Sequence, residues 1–277
     1  MSAIKDLKKR LSAVQSTKQL TSAMKTVSSI KFSRINNILG GFREYSANFE
    51  KIMEDIGVFE SDENEAPKTT LYVLISGNRG LCGGYNIELF SYFDKIVKSS
   101  GDALFMACGK KAIEHCRQKN IPLLAAFDLP DIPDYSVSEN LYKVLCSFLD
   151  EGRVDKVLFV CQKHINLLKR QPQTVSLLTP AAEDLKVDDG IIYIPDRETV
   201  LNELYSLYQN EAVYSVLLNC AAGVQAATLT AMRSAFDTAS ESAQALEISI
   251  NRRRQADVTA SVIETAADNN YDSGKEV

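Results

Sequence analysis

Downstream of Pro195 the chain contains no proline, and its glycines there are Gly223 and Gly274. Within this stretch Leu229, Met232, Phe236, Ala239, Ala243, Leu246 and Ile250 follow one another at steps of 3, 4, 3, 4, 3 and 4. That is the heptad spacing of a helix presenting one apolar stripe to another helix. The residues between are mostly polar, among them Arg233, Asp237, Ser240, Glu241, Gln244 and Glu247. Ala239 and Ala243 favour helix and are small enough to let a neighbour approach closely. A helix over residues 198–269 would be roughly 100 Å long at about 1.5 Å per residue. No small domain can wrap such a rod, so it must pair with a second long helix or project from the body.

The expected partner lies at the other end of the chain. Residues 1–40 also lack proline, and Ile4, Leu7, Leu11 and Val14 are spaced 3, 4 and 3. Leu20, Met24 and Val27 resume the pattern after polar Thr17 and Lys18, which predicts a stutter in the coiled coil. Gly40-Gly41 predicts a helix break, beyond which Phe42, Tyr45, Phe49, Ile52 and Ile56 restore helical spacing. The expected fold is α/β: a long antiparallel coiled coil of the terminal helices, residues 1–57 and 197–269, with a central Rossmann-like domain over 70–195. The alternative is an ordinary helical bundle, for which the middle of the chain offers no further long helices.

That middle alternates apolar runs with amphipathic ones. Acidic, proline-bearing residues 57–69 mark a boundary. Strands are expected at 71–76, 103–108, 122–127 and 156–161, with shorter ones at 174–178 and 191–194. Helices are expected at 86–98, 110–119 and 138–150. Such alternation predicts a layered α/β domain.

Charge is distributed unevenly. Residues 1–43 hold nine basic side chains and one acid, Asp6, a net of +8; the chain as a whole is −5, so the rest carries −13. A basic helix can meet nucleic acid, an anionic membrane or an acidic protein, or be the solvated face of a coiled coil. Lys5 to Arg10 is not followed by the apolar core of a secretory signal. The longest continuous apolar runs fall far short of the ~20 residues of a membrane span. Six cysteines without C-x-x-C pairing read as reduced, buried thiols.

The sharpest local motif runs from Ser76 to Asn86: Ser-Gly-Asn-Arg-Gly-Leu-Cys-Gly-Gly-Tyr-Asn. It follows a strand and opens a helix, a place where anions bind. Its glycines do not match G-x-G-x-x-G, and it lacks the Gly-Lys-Ser/Thr ending of a phosphate loop. A tight structural turn is the reading preferred over a nucleotide site. His115 and His164 have no ligand-spaced companions, so no metal site is expected, and no nucleophile motif is apparent. Arg252-Arg253-Arg254 beside Gln255 is either a solvated charge run or a fork-bearing surface for an acidic partner.

Taken together, these motifs resemble the gamma subunits of F-type ATP synthases from end to end. The resemblance rests on residues 4–10 (Ile-Lys-Asp-Leu-Lys-Lys-Arg), 21–27 (Thr-Ser-Ala-Met-Lys-Thr-Val), 76–86, 154–157 (Val-Asp-Lys-Val), 231–233 (Ala-Met-Arg), and 251–256 (Asn-Arg-Arg-Arg-Gln-Ala) with Thr259. Departures are Asn78, where the family usually has aspartate, and Gly223, Val224, Gln225 and Thr228, where it has Ser-Glu-His and an arginine. A polar tail from Asp268 to Gly274 replaces a small, apolar one.

The resemblance implies a non-catalytic rotor without cofactor or metal. It implies one copy per complex, with three alpha and three beta subunits, an epsilon subunit and the membrane c-ring as partners, and no nucleic acid. The implied setting is peripheral, at the cytoplasmic face of a bacterial membrane. Met24, Lys25, Arg254 and Gln255 are the expected rotor–stator contacts, and Gly77, Arg79, Gly80, Leu81, Cys82, Gly83 and Gly84 the signature turn. The rival readings are a nucleotide-binding α/β enzyme with helical extensions and a basic coiled-coil nucleic-acid binder.

Overall fold

A computed structural model describes residues 2–55, 69–166, 169–177 and 193–272. Two long helices, α1 (Ser2–Asp55) and α5 (Arg197–Asp272), bracket a five-stranded sheet. Between them come β1 (Thr70–Ile75), α2 (Tyr85–Ser99), β2 (Leu104–Cys108), α3 (Lys110–Gln118), β3 (Ala125–Phe127), α4 (Tyr135–Asp150), β4 (Lys156–His164) and β5 (Arg170–Leu177). The strand order is β3-β2-β1-β4-β5. Only β5 runs antiparallel to its neighbour among these strands.

Burial on both faces explains why β1 reads as a continuous apolar run. Leu71, Val73 and Ile75 join Leu141 and Leu145 of α4 and Val213 and Leu217 of α5. Leu74 points the other way, into Leu89 and Phe93 of α2 and Ala112 and Cys116 of α3. The boundaries shift where local chemistry intervenes. α4 starts three residues before the expected Ser138 because the Asp134 carboxylate accepts a hydrogen bond from Val137 N at 3.1 Å, an N-cap. The strand expected at 122–127 shortens to Ala125–Phe127, while β4 runs on to His164 by pairing with β5. Of the strand expected at 191–194, the first two positions lie outside the described residues, and Tyr193 and Ile194 are in no strand.

The chain divides into two compact units, Val27–Thr230, and Met1–Thr26 with Ala231–Val277. In the first, α5 lies between the sheet and α1. Its Val213, Leu217 and Cys220 face the sheet, and its Tyr214, Leu218 and Ala222 pack on Ile35 and Leu39 of α1. Phe42 meets Tyr214 edge-on at 5.2 Å and Phe49 stacks with Tyr208 at 6.1 Å, so the two helices run antiparallel there. This double burial also accounts for an 18-residue window of α5 with mean hydropathy 1.4, apolar enough to cross a membrane. Of that window 61% is buried inside the protein, so its apolarity serves the core.

In the second unit, Met232, Ala239 and Ala243 of the α5 seam are buried, and Phe236, Leu246 and Ile250 are half-buried. Lys18 and Lys25 of α1 hold their ammonium groups 5.4 and 4.5 Å from the centre of the Phe236 ring. These are cation–π distances.

Two expectations for α1 are corrected. The stutter is absent. From Ile4 to Met53 every position of one 3-4 series is buried or half-buried, including Lys18, Thr21, Lys25 and Ser28. Leu20 and Val27, the apolar residues that suggested a slip, are 59% and 48% exposed. A buried Thr21 is tolerable because its hydroxyl donates back to the Thr17 and Lys18 carbonyls at 3.0 Å, leaving no unmet donor. Gly40-Gly41 does not break the helix either. Each glycine costs about 1 kcal/mol against alanine, and the packing of Leu39 and Phe42 on α5 outweighs that.

Candidate interaction surfaces and the glycine-rich turn

The glycine-rich turn is a junction between elements. Three successive backbone N–H groups at the start of α3 need acceptors, and the turn supplies all of them. Lys110 N donates to Asn78 Oδ1 at 3.1 Å, Lys111 N to the Gly77 carbonyl at 3.3 Å, and Ala112 N to Ser76 Oγ at 2.6 Å. The Asn78 amide in turn donates to the Leu129 carbonyl. A helix N-terminus binds an anion through such free N–H groups, and here the chain itself has filled them.

Close packing accounts for Gly77, and backbone conformation for Gly83. A Cβ on Gly77 would lie 2.9 Å from Val224 Cγ1 of α5, and one on Gly84 would lie 3.0 Å from Glu88 Oε1. Gly83 has φ +57°, in the left-handed region, and so does Leu81 at +64°. Leu81 and Arg79 face outward, and a Cβ on Gly80 would meet nothing. Cys82 is buried, and burial pushes its thiol pKa up, which keeps it protonated and unreactive. The fold's usual ligand crevice, at the carboxyl ends of the strands, is thus occupied by Val224 of α5 and by an ion cluster. In that cluster the Asp131 carboxylate binds Lys31 of α1, with Arg79 Nη2 at 3.8 Å. Burial raises the Asp131 pKa, but the hydrogen bond and charge of Lys31, with Arg79 and Asn78, outweigh it and hold the group below its ordinary value.

The expected contact residues fall in two separate places. Met24 and Lys25 are half-buried on α1, with Lys25 turned onto Phe236. Arg254 and Gln255 are exposed on α5, and so is every residue from Asn251 to Glu264. Phe236 and Arg254 are 18 positions apart, about 27 Å at about 1.5 Å per residue. Arg253 pairs with Asp257 at 3.3 Å, one turn on, while Arg254 has no ion pair among the described residues. Sequence reasoning missed the Lys31–Asp131 pair, whose members stand 100 positions apart, and the pairing of His115 with Asp94 at 2.8 Å. Neither spacing carries a local signal. Among the described residues no group of three or more His, Cys, Asp or Glu could hold a metal.

A family model described as ATP synthase matches residues 3–267. The ATP synthase gamma chain of Moorella thermoacetica is 31% identical over 276 residues, covering 96% of this chain and 98% of that one. This chain belongs to the ATP synthase gamma family. The gamma chain of Rubrobacter xylanophilus is 29% identical over 282 residues, covering 96% and 97%. In fold, the gamma-family chain is similar to a chain of the Euglena gracilis mitochondrial ATP synthase OSCP/F1/c-ring structure. The TM-score is 0.70 at 15% identity, with 100% and 97% of the two chains covered. A chain of the Tetrahymena thermophila ATP synthase central stalk and c-ring gives a TM-score of 0.63 at 23% identity, covering 78% and 99%. Membership in the gamma family makes this a non-catalytic subunit of the central stalk, and the nucleotide-binding enzyme is not favoured.

Proposed function

We propose that this chain is the rotary shaft that couples ion flow across a membrane to ATP synthesis or hydrolysis in a surrounding ring. In this reading α1 and α5 form the shaft, and the sheet with α2, α3 and α4 forms the body that receives torque. Three alpha and three beta subunits surround the shaft, and an epsilon subunit and the c-ring meet the body. The complex is peripheral to the cytoplasmic face of a bacterial membrane.

The observation that carries this reading is the bare end of α5. Asn251 to Glu264 are exposed on every side, with Val258, Val262 and Ile263 among them. Val258 and Val262 stand one turn apart with Ile263 beside them, an apolar strip that a neighbouring protein can cover. Arg254 brings a planar fork of donors suited to a carboxylate, a geometry lysine does not reproduce. A contact with acidic or polar loops of a beta subunit, made in one rotary position and not in the others, lowers the energy of that position relative to the rest. Met24 and Lys25 supply a second contact nearer the body.

The test is Arg254→Ala with Gln255→Ala in the assembled complex, with ATP turnover and ion pumping measured together. Loss of pumping per ATP is expected, and wild-type values for both would remove these residues from the mechanism.

A further inference from the structure

The outer face of the α/β body carries a groove of about 420 Å³ between α2 and α3. Its floor is rigid. Phe90 and His115 stack with centroids 4.3 Å apart and planes within 14°. His115 Nε2 lies 2.8 Å from Asp94 Oδ1, and Lys119 Nζ approaches the other oxygen at 3.9 Å. The carboxylate lining the groove is therefore already engaged. Its rim is cationic and apolar at once. Lys95 and Lys98 project from α2 beside Lys119 of α3, and neither is ion-paired among the described residues. Ile87, one turn before Phe90 and Ser91 on the same helix, is 73% exposed.

We propose that this groove docks an acidic segment of a partner protein, one that carries a bulky apolar side chain between two carboxylates. The argument is complementarity. Three ammonium groups around one engaged carboxylate leave a local positive excess on a chain whose net charge is −5. Carboxylates arriving there form charge-assisted hydrogen bonds, and their field draws the segment in. The apolar side chain removes Ile87 and the edge of the Phe90–His115 stack from water, the apolar centre with a polar rim that protein interfaces share. A phosphate group would use the lysines and leave Ile87 bare, and a nucleic acid would need a longer basic track than this groove offers. The proposal does not depend on the rotary reading.

A photo-crosslinking residue, p-benzoylphenylalanine, in place of Ser91 tests it in the assembled complex, with adducts located by mass spectrometry. Adducts are expected on a partner segment holding two carboxylates around an apolar residue. Their yield should fall at least tenfold in Lys95→Glu/Lys98→Glu and stay unchanged in Lys8→Glu/Lys9→Glu, which alters the basic α1 elsewhere. Should the first variant fail to assemble, the parent's yield is followed from about 50 to about 500 mM salt, where screening must reduce it. Absence of adducts, adducts on a segment without acids or on nucleic acid, or a yield indifferent to charge reversal or salt would overturn the proposal. Co-purification with alpha and beta subunits in the same preparation scores the rotary reading separately.

Discussion

Gly77 offers a direct test of whether the glycine-rich turn is shaped by packing or by a ligand. An alanine there places Cβ 2.9 Å from Val224 Cγ1 and 3.2 Å from Cγ2. Carbon atoms rest at about 3.5–4.0 Å, so one partner must move by half an ångström or more. Valine has one strongly preferred rotamer in a helix, and α5 is wedged between the sheet and α1, so it cannot retreat. Overpacking of this kind costs about 1–3 kcal/mol. Val224→Ala alone loses two partly buried carbons, about 1.5 kcal/mol at about 0.8 kcal/mol per group. In that background the new Cβ has room, and Gly77→Ala should become neutral or gain about 0.4–1 kcal/mol from the less flexible unfolded chain. The double-mutant cycle should therefore show a favourable coupling of about 1–3 kcal/mol. Equilibrium urea unfolding, followed by near-UV circular dichroism of the tyrosine-rich body, measures all four proteins. If Gly77→Ala costs the same in both backgrounds to within about 0.5 kcal/mol, the approach of α5 is not why glycine stands there.

Other perturbations have separate readouts. Gly109 sits at φ +90° and ψ 150°, with a built Cβ 2.3 Å from the Ser76 carbonyl oxygen; Gly109→Ala should cost about 3 kcal/mol or more from strain and overlap together, measured by the same unfolding. Gly40→Ala and Gly41→Ala meet no neighbour within 4 Å and should each stabilise α1 by about 1 kcal/mol, seen as a higher thermal midpoint. Asp131→Asn should cost about 1 kcal/mol near neutral pH, since its carboxylate is partly exposed. Because the folded pKa of Asp131 lies below the unfolded value of about 3.9, its contribution is present above that pH. It is lost as pH falls through the folded pKa, so the two unfolding curves should converge below about pH 4.

Periodicity is legible where one side of an element alone meets the protein. The α5 seam from Leu229 to Ile250 is such a case, as is the alternation of apolar runs with amphipathic helices that marks the α/β body. The same rule fails on α1, because a helix's sequence does not say which of two candidate stripes its partner will cover. Leu20 and Val27 out-scored Thr21 and Ser28 in apolarity, yet the latter pair faces inward. Small size and, for Thr21, a hydroxyl satisfied by its own helix let a polar residue occupy the seam.

The surfaces divide in the same way. The exposed Arg254 and Gln255 were readable from an arginine run flanked by polar residues. The groove floored by Phe90 and His115 was not, since α2 and α3 meet there only after β2 has turned the chain back. The family motifs and the binary pattern of this chain determine two long helices around an α/β body. Tertiary structure decided the phase of α1, the continuity of that helix through Gly40-Gly41, and the closing of the strand-end crevice by Ser76, Asn78 and Val224. The physical reason is common to all three: each depends on the atom that arrives opposite, and sequence specifies an atom's neighbours only along the chain.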